Sequence, residues 1–131
     1  MRGYYRDDGL PFDVERAAAA MSRLLAQPEW GFAIVLESPG SLIGYVAVCV
    51  GFSLELGGND AFIDEVFVVP EHRRCGYGRQ LLEAAASQAT RIGVRALHLE
   101  VDRGNAGARE LYAALGFALR DRYFLMTRNL F

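Results

Sequence analysis

Two arginines and two glycines stand between an apolar segment and a helix-like segment in VFVVPEHRRCGYGRQLLEAA, which begins at Val66. The guanidinium groups of Arg73 and Arg74 can bind phosphate oxygens in pairs. Gly76 and Gly78 let a ligand approach the backbone at the start of a helix, where unpaired N–H groups and the helix dipole attract anions. This segment is therefore predicted to bind a pyrophosphate group, with a simple strand-to-helix turn as the alternative.

The residues after the second glycine distinguish between classes of phosphate ligand. A Walker loop requires Lys and then Ser or Thr, whereas Gly78 is followed by Arg79 and Gln80. A dinucleotide-binding turn requires a third glycine where Leu81 stands. Glu100 nevertheless lies at about the distance of a ribose-binding acid, so a small nicotinamide-binding protein stays open as an alternative.

Two acidic residues, Asp64 and Glu65, directly precede the apolar segment. A carboxylate beside a site can accept a proton as a general base. Because neighbouring side chains of a strand point to opposite faces, we expect one of the two to face a site. Both could instead be solvated strand-edge acids or bind a substrate cation. His72 and Cys75 are three residues apart, but without further ligands they do not predict a zinc site.

Eight elements must position these residues, in the order α, β, β, β, α, β, α, β. Helical periodicity with an N-cap at Asp13 predicts the first helix, and Pro28 ends it. The segments are LPFDVERAAAAMSRLLAQ, GFAIVLE, LIGYVAVCVGFSL, AFIDEVFVV, the helix from Gly76 to Gly93, RALHLEV, GNAGARELYAALGF and DRYFLMTRNLF. A strand–helix–strand unit beside a hairpin predicts a mixed sheet with helices packed on it.

Composition narrows the class of protein. The chain has 131 residues, of which 52% are hydrophobic, and we expect a single domain over residues 1–131. A net charge of -2 argues against a nucleic-acid partner bound through bulk charge. No apolar run approaches the roughly 20 residues of a membrane span. Cys49 and Cys75 show no paired spacing, and the N-terminus lacks a signal-peptide core, so a cytoplasmic location is expected.

Three stretches of the sequence resemble the GNAT superfamily of N-acetyltransferases. RRCGYG fits the pattern Arg/Gln-x-x-Gly-x-Gly/Ala of the family's coenzyme A loop. FIDEVFVVPEHRRCGYGRQLL resembles the family's fourth strand, loop and third helix, and LEVDRGNAGARELYAALGF resembles its fifth strand and following helix. Together these stretches cover about half of the chain in the family's order and spacing.

The resemblance implies an α/β (α+β) fold, with a mixed, mostly antiparallel twisted sheet flanked by helices. It implies an enzyme that uses acetyl-CoA as co-substrate, needs no metal and transfers the acetyl group directly to an amine. The acceptor would be a small molecule or a peptide amine, and the nearby acids favour a small cationic amine. Dimerisation is common in the family. Since YYRDDG resembles the end of the family's first helix, we expect the usual first strand to be lacking. A catalytically inactive acyl-CoA-binding module is the alternative function.

The resemblance also assigns site residues. Tyr112 corresponds to the tyrosine that donates a proton to the departing sulfur, and Asn105 corresponds to the asparagine that binds the pantetheine arm. Asp64 is favoured as the base over Glu65, because it matches the acid of polyamine-type members. The remaining residues that would bind coenzyme A are Val66, Phe67 and Val68, through their backbone, and Arg73, Arg74, Cys75, Gly76, Tyr77, Gly78 and Arg79 in the loop.

Overall fold

The computed structural model describes residues 13–131. The chain divides into two compact units, one up to Glu100 and one from Val101 to Phe131. The expected single domain stays a prediction. The expected end of a first helix at YYRDDG, and the expected lack of a first strand, lie outside the described residues. The elements are α1 (Val14–Ala26), β1 (Gly31–Ser38), β2 (Ser41–Ser53), β3 (Gly58–Val68), a 3-10 turn (Pro70–His72), α2 (Tyr77–Arg91), β4 (Leu97–His98) and α3 (Ala106–Ala114).

The strands form a mixed sheet in the order β1-β2-β3-β4. β1 and β2 make the predicted antiparallel hairpin, and β2 pairs antiparallel with β3 from Gly44 opposite Val68 to Ser53 opposite Gly58. β3 and β4 run parallel and pair at Ala61 and Phe62. The predicted fold class, a mostly antiparallel sheet with flanking helices, is confirmed.

One face of the sheet packs against α2 and forms the core. Val46 and Val48 on β2 are fully buried. Gly44, on the same face, brings the strand close to the helix: a Cβ there would lie 3.1 Å from Leu81 Cδ1 and 2.4 Å from the Phe67 carbonyl oxygen. The buried side of α2 consists of Leu81, Leu82, Ala85 and Ala89. This helix therefore holds the centre of the sheet through small and branched apolar side chains.

The opposite face of β2 presents Tyr45, Ala47 and Cys49, since strand side chains alternate. α1 packs on β1 beside this face, and Leu24 approaches Gly31. The N-cap of α1 is as predicted, because the Asp13 side chain accepts a hydrogen bond of 3.0 Å from the backbone N–H of Arg16. Among residues 13–131, no helix is long and apolar enough to cross a membrane.

Two strand predictions were wrong: one strand is much shorter than predicted, and the other segment forms no strand. RALHLEV forms a strand at Leu97 and His98 only, because the ladder with β3 ends after two pairs. DRYFLMTRNLF contains a turn but no strand. Its aromatic and β-branched residues favour extended backbone, but a strand also requires a hydrogen-bonded neighbour, and none is paired with this segment in the described part of the chain.

Candidate active site

An open cavity of about 410 Å³ lies between α1 and the face of β2 and β3 that carries Ala47 and Cys49. α1 contributes Ala20, Met21, Arg23 and Leu24, and Trp30 follows it; the sheet contributes Ala47, Cys49, Asp64 and Glu65. The wall of the cavity is thus mostly apolar on the helix side, and both carboxylates come from consecutive residues of β3. Arg23 lies over the Trp30 ring, with its guanidinium carbon 5.6 Å from the ring centroid.

A β-bulge in β3 explains why both acids line the same cavity. Glu65 pairs with Ala47, but Ile63 pairs with Val48, so Asp64 is an extra residue with no partner position on β2. The expectation that only one of the two acids would face a site rested on regular alternation, and it was wrong for this strand. A bulge interrupts the alternation and re-aims the side chains around it.

The two carboxylates differ in their surroundings. Glu65 is 5% exposed, and its Oε1 accepts a hydrogen bond of 2.7 Å from the Tyr45 hydroxyl on β2. Tyr45 is itself buried, and its ring centroid lies 6.1 Å from that of Phe67. Asp64, in contrast, is exposed at the bulge. The cavity therefore has one fixed, desolvated carboxylate and one solvated carboxylate beside it.

Cys49 is half-buried in the cavity wall. Burial raises the pKa of its thiol, and the negative charges of Asp64 and Glu65 raise it further. The thiol is therefore protonated at neutral pH, which makes Cys49 a poor nucleophile.

The predicted phosphate-binding loop links β3 to α2 through the 3-10 turn. Gly76 adopts a left-handed conformation (φ 84°) at the N-cap of α2, which has no side-chain cap there. The first backbone N–H groups of this helix have no carbonyl partner within the helix and point out of its N-terminus. Arg74 also has a positive φ of 65°, so two left-handed residues shape the loop.

The arginines of the loop have different contacts. Arg73 turns back towards β3: its Nε donates a hydrogen bond of 2.8 Å to the Val68 carbonyl oxygen, and its guanidinium lies 5.2 Å from the Phe67 ring centroid. Arg79 forms an exposed ion pair of 3.2 Å with Glu83, one turn further along α2. Arg73 therefore ties the loop to the end of the strand.

The β3 edge that faces β4 is open beyond the two-residue ladder. β4 pairs with Ala61 and Phe62, whereas Val66, Phe67 and Val68 pair with β2 on their other side. Within residues 13–131 these three have no strand partner on the β4 side. An open edge of this kind can hydrogen-bond to an extended ligand with amide groups, as it would to another strand.

Asn105 and Tyr112 belong to the second unit. Asn105 caps α3, because its Oδ1 accepts a hydrogen bond of 3.1 Å from the Ala108 N–H. The Tyr112 ring centroid lies 6.0 Å from that of Phe117, in an edge-on arrangement, and the Phe117 N–H donates to the Tyr112 carbonyl oxygen at 3.0 Å. This contact holds the end of α3 against the residues that follow it.

Within the described range, no group of three or more His, Cys, Asp or Glu residues is arranged to hold a metal ion. His72 lies edge-on to the Tyr77 ring at 6.0 Å, and the Cys75 thiol contacts the Arg73 carbonyl oxygen at 3.4 Å. Both residues thus make contacts with other residues of the same loop.

Tyr45 and the helix wall of the cavity were not predicted from the sequence. The alternation of Tyr45, Ala47 and Cys49 along β2 was a usable signal, since it places a hydroxyl and a thiol on one face of a central strand. Met21 and Leu24 lie in the segment LPFDVERAAAAMSRLLAQ, whose apolar periodicity predicts a helix but gives no sign of a cavity. The structure shows that they line the cavity.

Comparison with known proteins identifies a family and relatives that this chain resembles. The sequence model described as "Acetyltransferase (GNAT) family" matches residues 3–117. An uncharacterized N-acetyltransferase of Bacillus subtilis, YhfO, is 30% identical over 88% of this chain and 75% of its own length. The ribosomal protein bS18-alanine N-acetyltransferase of Escherichia coli is 38% identical over 53% of this chain, but over only 49% of its own length.

A solved structure has a similar fold. An integron cassette protein from the mobile metagenome of Cole Harbour Salt Marsh superposes with a TM-score of 0.85 and is 28% identical. The match covers 98% of this chain and 78% of the other.

Proposed function

This chain belongs to the acetyltransferase (GNAT) family, and we propose that it acetylates a small, protonated amine with an apolar body, held in the cavity beside Asp64 and Glu65. Members of the family are acetyl-CoA-dependent transferases. The observation that carries the acceptor proposal is the cavity itself, in which two carboxylates occupy one side and mostly apolar side chains occupy the other.

The chemistry of the cavity favours one cation over several. Asp64 and Glu65 are adjacent in sequence, so they attract positive charge to one point. Opposite them, Met21, Leu24 and neighbouring apolar residues suit hydrocarbon, and Arg23 would repel a second cation. A volume of about 410 Å³ is within the range of small-molecule sites. A compact alkylamine or arylalkylamine fits these constraints better than a polyamine.

Each proton and bond in the proposed transfer is accounted for. The ammonium group loses a proton to a carboxylate, for which we assign Glu65, with Asp64 attracting the cation. The neutral nitrogen forms a bond to the acetyl carbonyl carbon, the carbon–sulfur bond breaks, and the nitrogen releases its second proton. Tyr112 donates a proton to the departing thiolate and regains one from solvent. The products are the N-acetylated amine, coenzyme A with a free thiol, and one proton.

The sequence resemblance favours Asp64 as the base, and the burial of Glu65 favours Glu65. A desolvated carboxylate in a fixed position is the better proton acceptor for an amine held against it, because water competes less for the proton. Asp64→Asn and Glu65→Gln distinguish the two assignments. We expect the Glu65 variant to lose kcat and the Asp64 variant mainly to raise the KM for the amine.

For acetyl-CoA, we propose that the start of α2 and the open edge of β3 form the binding surface. The left-handed Gly76 would let the pyrophosphate reach the first N–H groups of α2, with charge from Arg74 and Arg79. Arg73 would hold the loop in place through Val68. Cys75, Tyr77 and Gly78 would complete the loop, Val66, Phe67 and Val68 would pair with the pantetheine amides, and Asn105 would bind the same arm.

A peptide amine is the second candidate acceptor, because one relative is named for the alanine of a ribosomal protein. An α-amine has a pKa of about 7.7–8.0, so it needs less help to lose its proton than an alkylamine. From the family resemblance we also propose a single domain, a homodimer and a cytoplasmic location. Sedimentation of the purified protein tests the dimer.

The first experiment measures thermal unfolding with acetyl-CoA, with NAD and ATP as controls. A ligand at about 100 times its Kd stabilises the folded state by about 2.7 kcal/mol. The same sample is then assayed for release of coenzyme A thiol with phenethylamine, hexylamine, spermidine and an alanine-terminated peptide. The proposal expects the first two to be the best substrates. Preference for spermidine or the peptide would refute the acceptor class, and stabilisation by NAD alone would refute the enzyme class.

A further inference from the structure

The hydrogen bond between Tyr45 and Glu65 links two residues that are not directly opposite each other. Tyr45 pairs with Phe67, and Glu65 pairs with Ala47, so the contact runs diagonally between neighbouring strands. Such diagonal positions are about 7–8 Å apart, which a tyrosine side chain can span. The Tyr45 Oη to Glu65 Oε1 distance is 2.7 Å, and both side chains are buried.

One partner of the buried Glu65 carboxylate is the neutral hydroxyl of Tyr45. A desolvated carboxylate must be hydrogen-bonded to remain charged. An arginine in this place would supply a full positive charge, lower the basicity of the carboxylate and repel a protonated amine. A phenol donates a hydrogen bond without either effect. The contact therefore holds the carboxylate of Glu65 without adding a positive charge to the cavity.

The packing around Tyr45 restricts where its hydroxyl can lie. Its ring contacts Phe67, which in turn lies under the Arg73 guanidinium. Tyr45 is 7% exposed, so the ring has little space in which to change rotamer. The hydroxyl is therefore held at one point beside Glu65, and the carboxylate to which it donates, which lines the cavity, is held with it.

We infer that Tyr45 is a positioning residue for acetyl transfer, which fixes the Glu65 carboxylate in the cavity as the group that accepts the amine proton. This inference rests on the proposed function. Among residues 13–131, the charged and titratable groups that hydrogen-bond to Glu65 or line the same cavity include Tyr45 and Cys49 on β2, Asp64 on β3 and Arg23 on α1. Tyr45 donates its hydroxyl hydrogen bond to the carboxylate.

The test compares Tyr45→Phe, Glu65→Gln and the double variant in the full-length protein. Tyr45→Phe should lower kcat for the best amine by roughly tenfold, because general base catalysis as a whole contributes about 10²–10⁴-fold. The acidic limb of its pH–rate profile should move to higher pH, since the charged carboxylate loses a hydrogen bond. The affinity for acetyl-CoA should be unchanged by calorimetry. In the Glu65→Gln background, removing the hydroxyl should have little further effect on kcat.

Two controls separate positioning from structural support. Tyr123→Phe removes an exposed phenol from the second unit and should leave kcat and the pH profile unchanged. Phe67→Leu disturbs the packing of the Tyr45 ring but keeps its hydroxyl, so it should lower the melting temperature without reproducing the full shift of the pH profile. Titration of 13C-labelled glutamate by NMR reports on Glu65 without any need for activity.

The outcomes are distinct. An active wild-type protein whose Tyr45→Phe variant keeps the same kcat and pH profile overturns the inference alone. Equal losses from Tyr45→Phe in the wild-type and Glu65→Gln backgrounds also overturn it, because Tyr45 would then act independently of Glu65. A wild-type protein that binds acetyl-CoA but acetylates no amine overturns the proposed function and the catalytic role of Tyr45 with it. The NMR titration would still detect the contact in that case.

Discussion

The side chain of His98 on β4 contacts Asp60 on β3, two residues before its ladder partner Phe62, with 3.1 Å between the imidazole Nε2 and the carboxylate Oδ2. The contact joins the two strands where their ladder has only two residue pairs, and the Phe62 ring packs 4.9 Å from the imidazole. Both polar side chains are largely shielded from water. A side-chain contact thus reinforces a short backbone ladder at the point from which the β3 edge is open.

We expect loss of this contact to destabilise the first unit. Asp60→Asn and His98→Gln should each lower the free energy of unfolding by about 1 kcal/mol, the usual net contribution of a hydrogen bond. The double variant should cost less than the sum of the single variants, because the two residues share one interaction. Urea unfolding measures all three. Strict additivity would show that the pair contributes no coupling energy.

Gly76 and Gly93 form a matched pair for testing the loop. Both have left-handed backbones (φ 84° and 88°), and a Cβ at either position would meet nothing within 4 Å. Substitution by Ala should therefore destabilise the protein by a similar amount, about 1–2 kcal/mol, through backbone strain alone. Gly76→Ala should in addition weaken acetyl-CoA binding, measured by calorimetry. Equal acetyl-CoA affinities in the two variants would argue against phosphate binding at the start of α2.

Tyr112→Phe tests the proposed acid. The variant keeps the ring that contacts Phe117, so it should fold with nearly the wild-type melting temperature. It should lose about 10²-fold in kcat, as expected for loss of a general acid, and keep its affinity for acetyl-CoA. Steady-state kinetics and calorimetry on one preparation provide both numbers. A kcat within twofold of wild type would exclude proton donation by this hydroxyl.

Cys49 reports on the charge of the cavity. Because burial and then the charges of Asp64 and Glu65 raise the pKa of its thiol, Cys49 should react with iodoacetamide more slowly than the exposed Cys75 at pH 8. Asp64→Asn removes one negative charge and so lowers the pKa of Cys49 relative to wild type, which should accelerate its alkylation. Mass spectrometry of the two cysteine peptides measures both rates. An unchanged rate for Cys49 in the variant would show that Asp64 does not act on the thiol.

Local signals predicted the parts of the fold that depend on neighbouring residues. Asp13 caps α1 through a bond to a residue three positions away, and Gly76 begins α2 because the turn needs a left-handed backbone. Both follow from short stretches of sequence. The hairpin of β1 and β2 is similarly local, since a turn of a few residues sets its register.

The features that escaped prediction depend on residues distant in sequence. The bulge at Asp64 exists only relative to β2, and the contact between Tyr45 and Glu65 joins positions 20 residues apart. The length of β4 depends on where β3 offers a partner. No local periodicity encodes such pairings, so the acids could be identified from sequence but their common orientation could not.

The bulge divides β3 into two segments, and the odd-numbered residues of the two segments lie on opposite faces of the sheet. Before it, the odd-numbered Ala61 and Ile63 are buried on the α2 side; after it, the odd-numbered Glu65 and Phe67 lie on the same side as Ala47 and Tyr45. Deleting Asp64 is therefore not equivalent to truncating its side chain. A deletion would remove the bulge, so that Glu65 follows Ile63 in regular alternation and Glu65 and Phe67 keep their present face, whereas Asp64→Ala would keep the bulge and remove only the carboxylate. One inserted residue thus changes which residues of the strand, odd-numbered or even-numbered, face the cavity side of the sheet.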